Sequence, residues 1–199
     1  MNPDANTLGV AGSYALIGKV AGVGVGQLSG LENGAQWFGS PLSIAGMVGG
    51  TLASRSITLA PNHLAFTGLG TAVLTANAAA VTTKMRSDER ISKRTRNGTV
   101  SLVGAASAGT LLAVSSAVEP SNDQTIFAAT GAGWGLYYGS LVQLVIPGEL
   151  PIEDATLITT GVMDAGILTA AWMSSDAVGV KPKDTYCLLY TSPSPRDIS

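Results

Sequence analysis

Apolar and small residues fill long stretches of this chain, and polar residues gather in short links between them. The stretch Asp123–Ile146 shows the pattern, with no charge after its first residue. Gly131, Gly135 and Gly139 within it fall four apart, so they line one stripe of a helix. A helix of about 20 residues is roughly 30 Å long, the thickness of a bilayer's hydrocarbon core. Similar units start near Asp4, Gly34, His63, Gly98, Gln124 and Asp154. Each opens on a link rich in Asn, Asp, Pro or Ser, residues that favour caps and turns, and runs on into apolar and small residues. Sliding the chain on itself sets Leu59 over Leu150, His63 over Asp154 and Gly70 over Gly161. A period of about 30 residues is the mark of a repeat architecture.

Small residues recur every four positions in most units. The first carries Gly18, Gly22, Gly26 and Gly30, the third Gly68, Ala72, Ala76 and Ala80, and the fourth Ala105, Gly109, Ala113 and Ala117. The sixth begins with Gly161, Ala165 and Thr169. None keeps a period of two, which weighs against a β-barrel although the Gly, Thr and Val content suits one. The pattern predicts an all-α chain: about six helices of roughly 20 residues in a repeat bundle, packed through Gly/Ala stripes and crossing a membrane. The expected spans are 5–30, 35–54, 64–83, 99–118, 124–146 and 155–173, in a domain covering residues 1–178.

Composition moves the expected solvent from water to lipid. Only 12% of the 199 residues are charged, about half the usual share of soluble domains. Mean hydropathy is +0.33. There are 25 glycines, and a helix-interior glycine costs about 1 kcal/mol relative to alanine in water. In a membrane that cost is offset because small residues let helix backbones approach closely. Gly18, Gly22, Gly26, Gly131, Gly135 and Gly139 are the expected helix-packing positions.

Leu150–Gly161 has the rhythm L-x-x-x-D-A-x-L-I-x-x-G followed by small residues. It resembles glycine-rich helical repeat segments of uncharacterised bacterial proteins, and the likeness runs over residues 4–175. The resemblance implies a bacterial membrane location and no particular activity. The packing chemistry also resembles that of glycine-zipper membrane proteins. The tail, YCLLYTSPSPRD at Tyr186–Asp197, resembles a translated transposase-type sequencing adapter: Cys187 to Asp197 match one reading frame throughout. Cys187–Ser199 is therefore expected to be non-native, which removes the single cysteine from any redox argument. Residues 179–186 are expected to be a polar tail that the native protein continues beyond. Met1 is either a true start or an internal methionine of a longer chain.

Candidate chemistry is sparse. The run Gly22–Gly26, GVGVG, completes neither a dinucleotide-binding nor a phosphate-loop pattern. His63, the one histidine, has no second His or Cys to share a metal with, so a capping or interface role is expected. Lys84–Asn97 is the one strongly basic stretch, either a patch for anions or a solvated cytoplasmic loop under the positive-inside rule, the second being preferred. Asn97-Gly98-Thr99 matches a glycosylation sequon that matters only in a secretory protein. No nucleophile motif, cysteine pair or carboxylate pair within a span points to an enzyme, and no cofactor is called for. The expected partners are the lipid bilayer and, through glycine-lined faces, further copies of the chain; no nucleic acid is expected.

Lys19 and Asp164 are the only charges within the expected spans. A charge at mid-bilayer costs on the order of 3 kcal/mol on insertion scales. Two outcomes follow. Either helices one and six adjoin and the two residues pair, closing the array, or Lys19 snorkels and Asp164 faces water or another helix. The expected role is structural or scaffolding, or a pore or transport function. The rival from another class is a soluble or secreted glycine-rich repeat protein that self-associates.

Overall fold

The computed structural model describes residues 4–118, 120–146 and 148–174. The expected polar tail and the adapter-like segment with Cys187 lie outside the described residues. Among the described residues the fold is all-α, with six helices: α1 (Ala5–Leu28), α2 (Gly34–Ala53), α3 (Pro61–Ser87), α4 (Lys93–Val118), α5 (Asn122–Val145) and α6 (Ile152–Met173).

Local chemistry sets several ends. Asp4 caps α1 by accepting a 2.7 Å bond from the Thr7 N–H, and Ser121 caps α5 by accepting one from Gln124 at 3.1 Å. Pro61 opens α3 at the first turn, where its missing N–H costs nothing. Pro41 lies inside α2, yet the helix continues through it. The basic stretch Lys84–Asn97 is mostly helical, which corrects its reading as a loop. Lys84 and Arg86 sit in the last turn of α3, where the negative end of the helix dipole favours cations.

Consecutive helices form three antiparallel hairpins, α1–α2, α3–α4 and α5–α6, of which α1–α2 has the most extensive contact. Between hairpins, α1 packs on α4 and α3 on α6, with a lesser contact between α3 and α5. The order across the molecule is therefore α2, α1, α4, α3, α6, α5. Helices α1 and α6 do not touch, because α4 and α3 stand between them. The closed arrangement considered from sequence is not formed.

The interior is lined mostly by alanines, Ala11, Ala80, Ala105, Ala132, Ala155 and Ala170, with Val10, Leu112, Phe127 and Met163 among them. Many large apolar residues point outward: Leu16 is 67% exposed, Ile44 66%, Leu144 82% and Leu168 70%. Four helices, α1, α3, α4 and α6, are long and apolar enough to cross a membrane. Six spans were expected, and α2 and α5 fall short by the same measure. Their glycines, their Ser and Gln residues and the Trp134–Tyr137–Tyr138 group dilute their hydropathy.

Candidate functional site: glycine seams and mid-helix polar groups

The helix-packing glycines lie on two seams. On α1, alpha carbons bearing only hydrogen let Gly18, Gly22 and Gly26 sit against the α2 backbone at Leu42, Phe38 and Gly34. A β-carbon at Gly22 would stand 2.7 Å from the Gly39 Cα, and one at Gly18 would stand 2.9 Å from the Leu42 carbonyl carbon. The seam continues through two α2 glycines, Gly46 against Tyr14 and Gly50 against Ala11. On α5, Gly131, Gly135 and Gly139 face Gly166, Met163 and Thr159 of α6. Sequence reasoning missed Gly46, Gly50 and Gly166, because their helices carry other glycines that blur the period of four.

The alternating run GVGVG serves two neighbours at once. Successive helical residues turn by about 100°, so positions two apart point to nearly opposite sides. Gly22 and Gly26 face α2, while Gly24 meets Gly98 of α4, and a β-carbon on either would lie 3.0 Å from the other's carbonyl oxygen. The glycines are where α1 is squeezed between α2 and α4.

Lys19 and Asp164 are not brought together. Lys19 is exposed on α1. Asp164 accepts a 3.0 Å bond from the Asn77 side-chain amide of α3, and Asn77 also donates to the Val73 carbonyl at 3.2 Å. The helix that packs on α6 at this point is α3, not α1. Asn77 is the one strongly polar residue in its uncharged span, and that was a signal available in the sequence.

The basic stretch is largely held by the protein itself. Arg94 spreads its guanidinium over the frayed end of α1, donating to the carbonyls of Gln27 at 2.6 Å, Gly30 at 2.9 Å and Gly26 at 3.3 Å, and to that of Leu31. Gly26 and Gln27 lie in the last turn of α1, where carbonyls lose their intrahelical partners, and Gly30 and Leu31 lie in the link to α2. Arg96 donates to the Thr83 hydroxyl at 2.9 Å. Lys84 pairs with Asp154 in the first turn of α6 at 2.9 Å. This ion pair ties the last turn of α3 to the first turn of α6.

At the opposite end, His63 is buried, with Nδ1 2.9 Å from the Thr58 carbonyl, a bond made when Nδ1 carries the proton. It finishes the turn into α3 and is a capping residue. The Thr7 backbone and side chain hold the Asp4 carboxyl below its ordinary value. The Trp134, Tyr137 and Tyr138 rings pack on one another at centroid distances of 5.6–5.8 Å and remain half exposed on α5. Among the described residues no group of His, Cys, Asp or Glu has the arrangement of a metal site.

No protein-family model, curated protein or solved structure matches the chain.

Proposed function

We propose that the chain is a polytopic membrane protein, or a segment of one, whose helical layer serves a structural or scaffolding role. One observation carries this reading. In the four helices apolar enough to span a bilayer, only 6–22% of the most apolar window is buried within the fold. Alanines make up most of the buried apolar residues while many large apolar ones face outward, unlike a water-soluble core. Exposed apolar surface on this scale marks a membrane or protein contact. Lipid is the solvent that removes its cost.

The charge distribution supports an orientation. Lys84, Arg86, Arg90, Lys93, Arg94 and Arg96 lie at one end of the helices and Arg55 at the other. The Lys/Arg-rich end faces the cytoplasm under the positive-inside rule. Glycine seams that hold hairpins together without large side chains suit a scaffold, and the intramembrane Asn77–Asp164 pair is the feature that suits a pore or transport role.

Two measurements test the reading. Membranes from cells expressing the chain, washed with alkaline carbonate, retain it; release into the aqueous phase instead supports the soluble, self-associating alternative. In a Cys187→Ser background, Ser92→Cys and Ser56→Cys are labelled by a membrane-impermeant maleimide from opposite sides. Labelling of both from one side refutes the orientation.

A further inference from the structure

The two mid-helix charges, Lys19 and Asp164, both lack a counter-charge within the chain. Lys19 is exposed on α1 and makes no hydrogen bond or ion pair among the described residues. Asp164 is half-buried on α6 and meets only a neutral amide, that of Asn77, through Oδ1. Its Oδ2 bonds to no described residue and, unlike the hydroxyls of Thr67, Thr71 and Thr75, is not sealed from its surroundings. Charges among lipid-facing helices are costly, and they normally pair with one another.

The lysine does not reach the interface from where it stands. It lies nine residues before Leu28 and fourteen after Ala5, about 13 and 21 Å from the two ends of α1. A lysine side chain extends about 6 Å.

Two features place the missing counter-charges on a second copy of the chain. The first is depth. The end of α1 under Arg94 and the start of α6 beside Lys84 both lie at the basic end of the molecule. From that end Lys19 is nine residues down α1 and Asp164 twelve residues down α6, about 13 and 18 Å. Copies inserted in one orientation keep those depths, and the difference of about 5 Å is within the reach of a lysine. The second is lateral order. Helices α1 and α6 stand second from opposite edges of the layer α2, α1, α4, α3, α6, α5. With two layers face to face, a two-fold axis along the membrane normal sets α1 of each copy opposite α6 of the other. One such contact gives every lysine an aspartate. The glycine stripes that suggested self-association are used inside the chain, Gly18, Gly22 and Gly26 against α2 and Gly131, Gly135 and Gly139 against α6.

We propose that two copies of the chain associate face to face in the membrane, with Lys19 of each copy paired to Asp164 of the other.

The inference rests on the membrane reading, and carbonate extraction decides that reading whatever the association shows. Two differently tagged copies of the full chain are co-expressed, the membranes are dissolved in mild detergent, and one tag is retrieved. Parent copies bring each other down. Lys19→Asp on both copies sets like charges together at both contacts, and co-retrieval falls at least about tenfold. Lys19 is exposed, so the fold of that variant is not at stake. Asp164→Lys on both copies gives the same loss. One copy carrying Lys19→Asp with the other carrying Asp164→Lys restores co-retrieval, because each charge again meets its opposite, and so does Lys19→Asp/Asp164→Lys on both copies. In dilute micelles holding single chains the two residues stay uncoupled, since the pairing belongs to the dimer. Parent copies that do not retrieve each other, undiminished retrieval with Lys19→Asp on both copies, or a mixed pair and a double variant no better than the single variants overturns the proposal.

Discussion

Replacing Gly135 by alanine adds one methyl group to a helix surface that has no room for it. The new carbon would stand 2.5 Å from the Met163 Cα and 2.6 Å from the Val162 carbonyl oxygen, both backbone atoms of α6. A side chain could swing aside, but a helix backbone moves as a unit. Carbon atoms pack best at about 3.5–4.0 Å, so α5 and α6 must part by roughly 1 Å at this point. Overpacking of this kind costs about 1–3 kcal/mol. Alanine's better helix propensity returns up to about 1 kcal/mol. The expected net effect is a loss of up to about 2 kcal/mol. Gly133 on the same helix supplies the control, since a β-carbon there meets nothing within 4 Å. Gly133→Ala is therefore neutral or stabilising by up to about 1 kcal/mol. The measurement is a denaturing-detergent titration in mixed micelles, followed by fluorescence of Trp134 on α5. The seam argument fails if Gly135→Ala is as stable as Gly133→Ala.

Two further substitutions probe the polar contacts. Arg94→Ala leaves the α1 carbonyls it covered without their charged donor and lowers stability by about 2 kcal/mol, and Arg94→Lys recovers less than half because a lysine lacks the planar fork; an unfolding midpoint unchanged in the alanine variant would show the cap to be idle. In a double-mutant cycle, Asn77→Ala and Asp164→Ala couple by about 0.5–1.5 kcal/mol, whereas Lys19→Leu and Asp164→Ala are additive within about 0.5 kcal/mol; coupling through Lys19 would contradict the helix order described above.

Much of the architecture was legible because it is local. Period-four small residues, capping residues such as Asp4 and Ser121, and long uncharged runs fix where helices lie and which faces are small, since each depends only on residues a turn or two apart. The α5 stripe Gly131–Gly135–Gly139 was readable for that reason. The end of α3 was not: Lys84 and Arg86 read as loop residues, but a helix end attracts cations and carries on through them.

The choice of neighbours was decided only in three dimensions. The sequence places Lys19 and Asp164 inside the first and last expected spans, but a position within a span says nothing about which helices adjoin. Asp164 meets Asn77 because α3 packs on α6, and Lys19 is left outside because α1 is taken up by α2 and α4. The same holds for Arg94 over the end of α1, and for the Thr75 hydroxyl beside Gly104. A stripe of small residues specifies a surface that some backbone can approach closely. Which backbone arrives depends on how all the faces fit at once, and that information is spread over helices far apart in the chain.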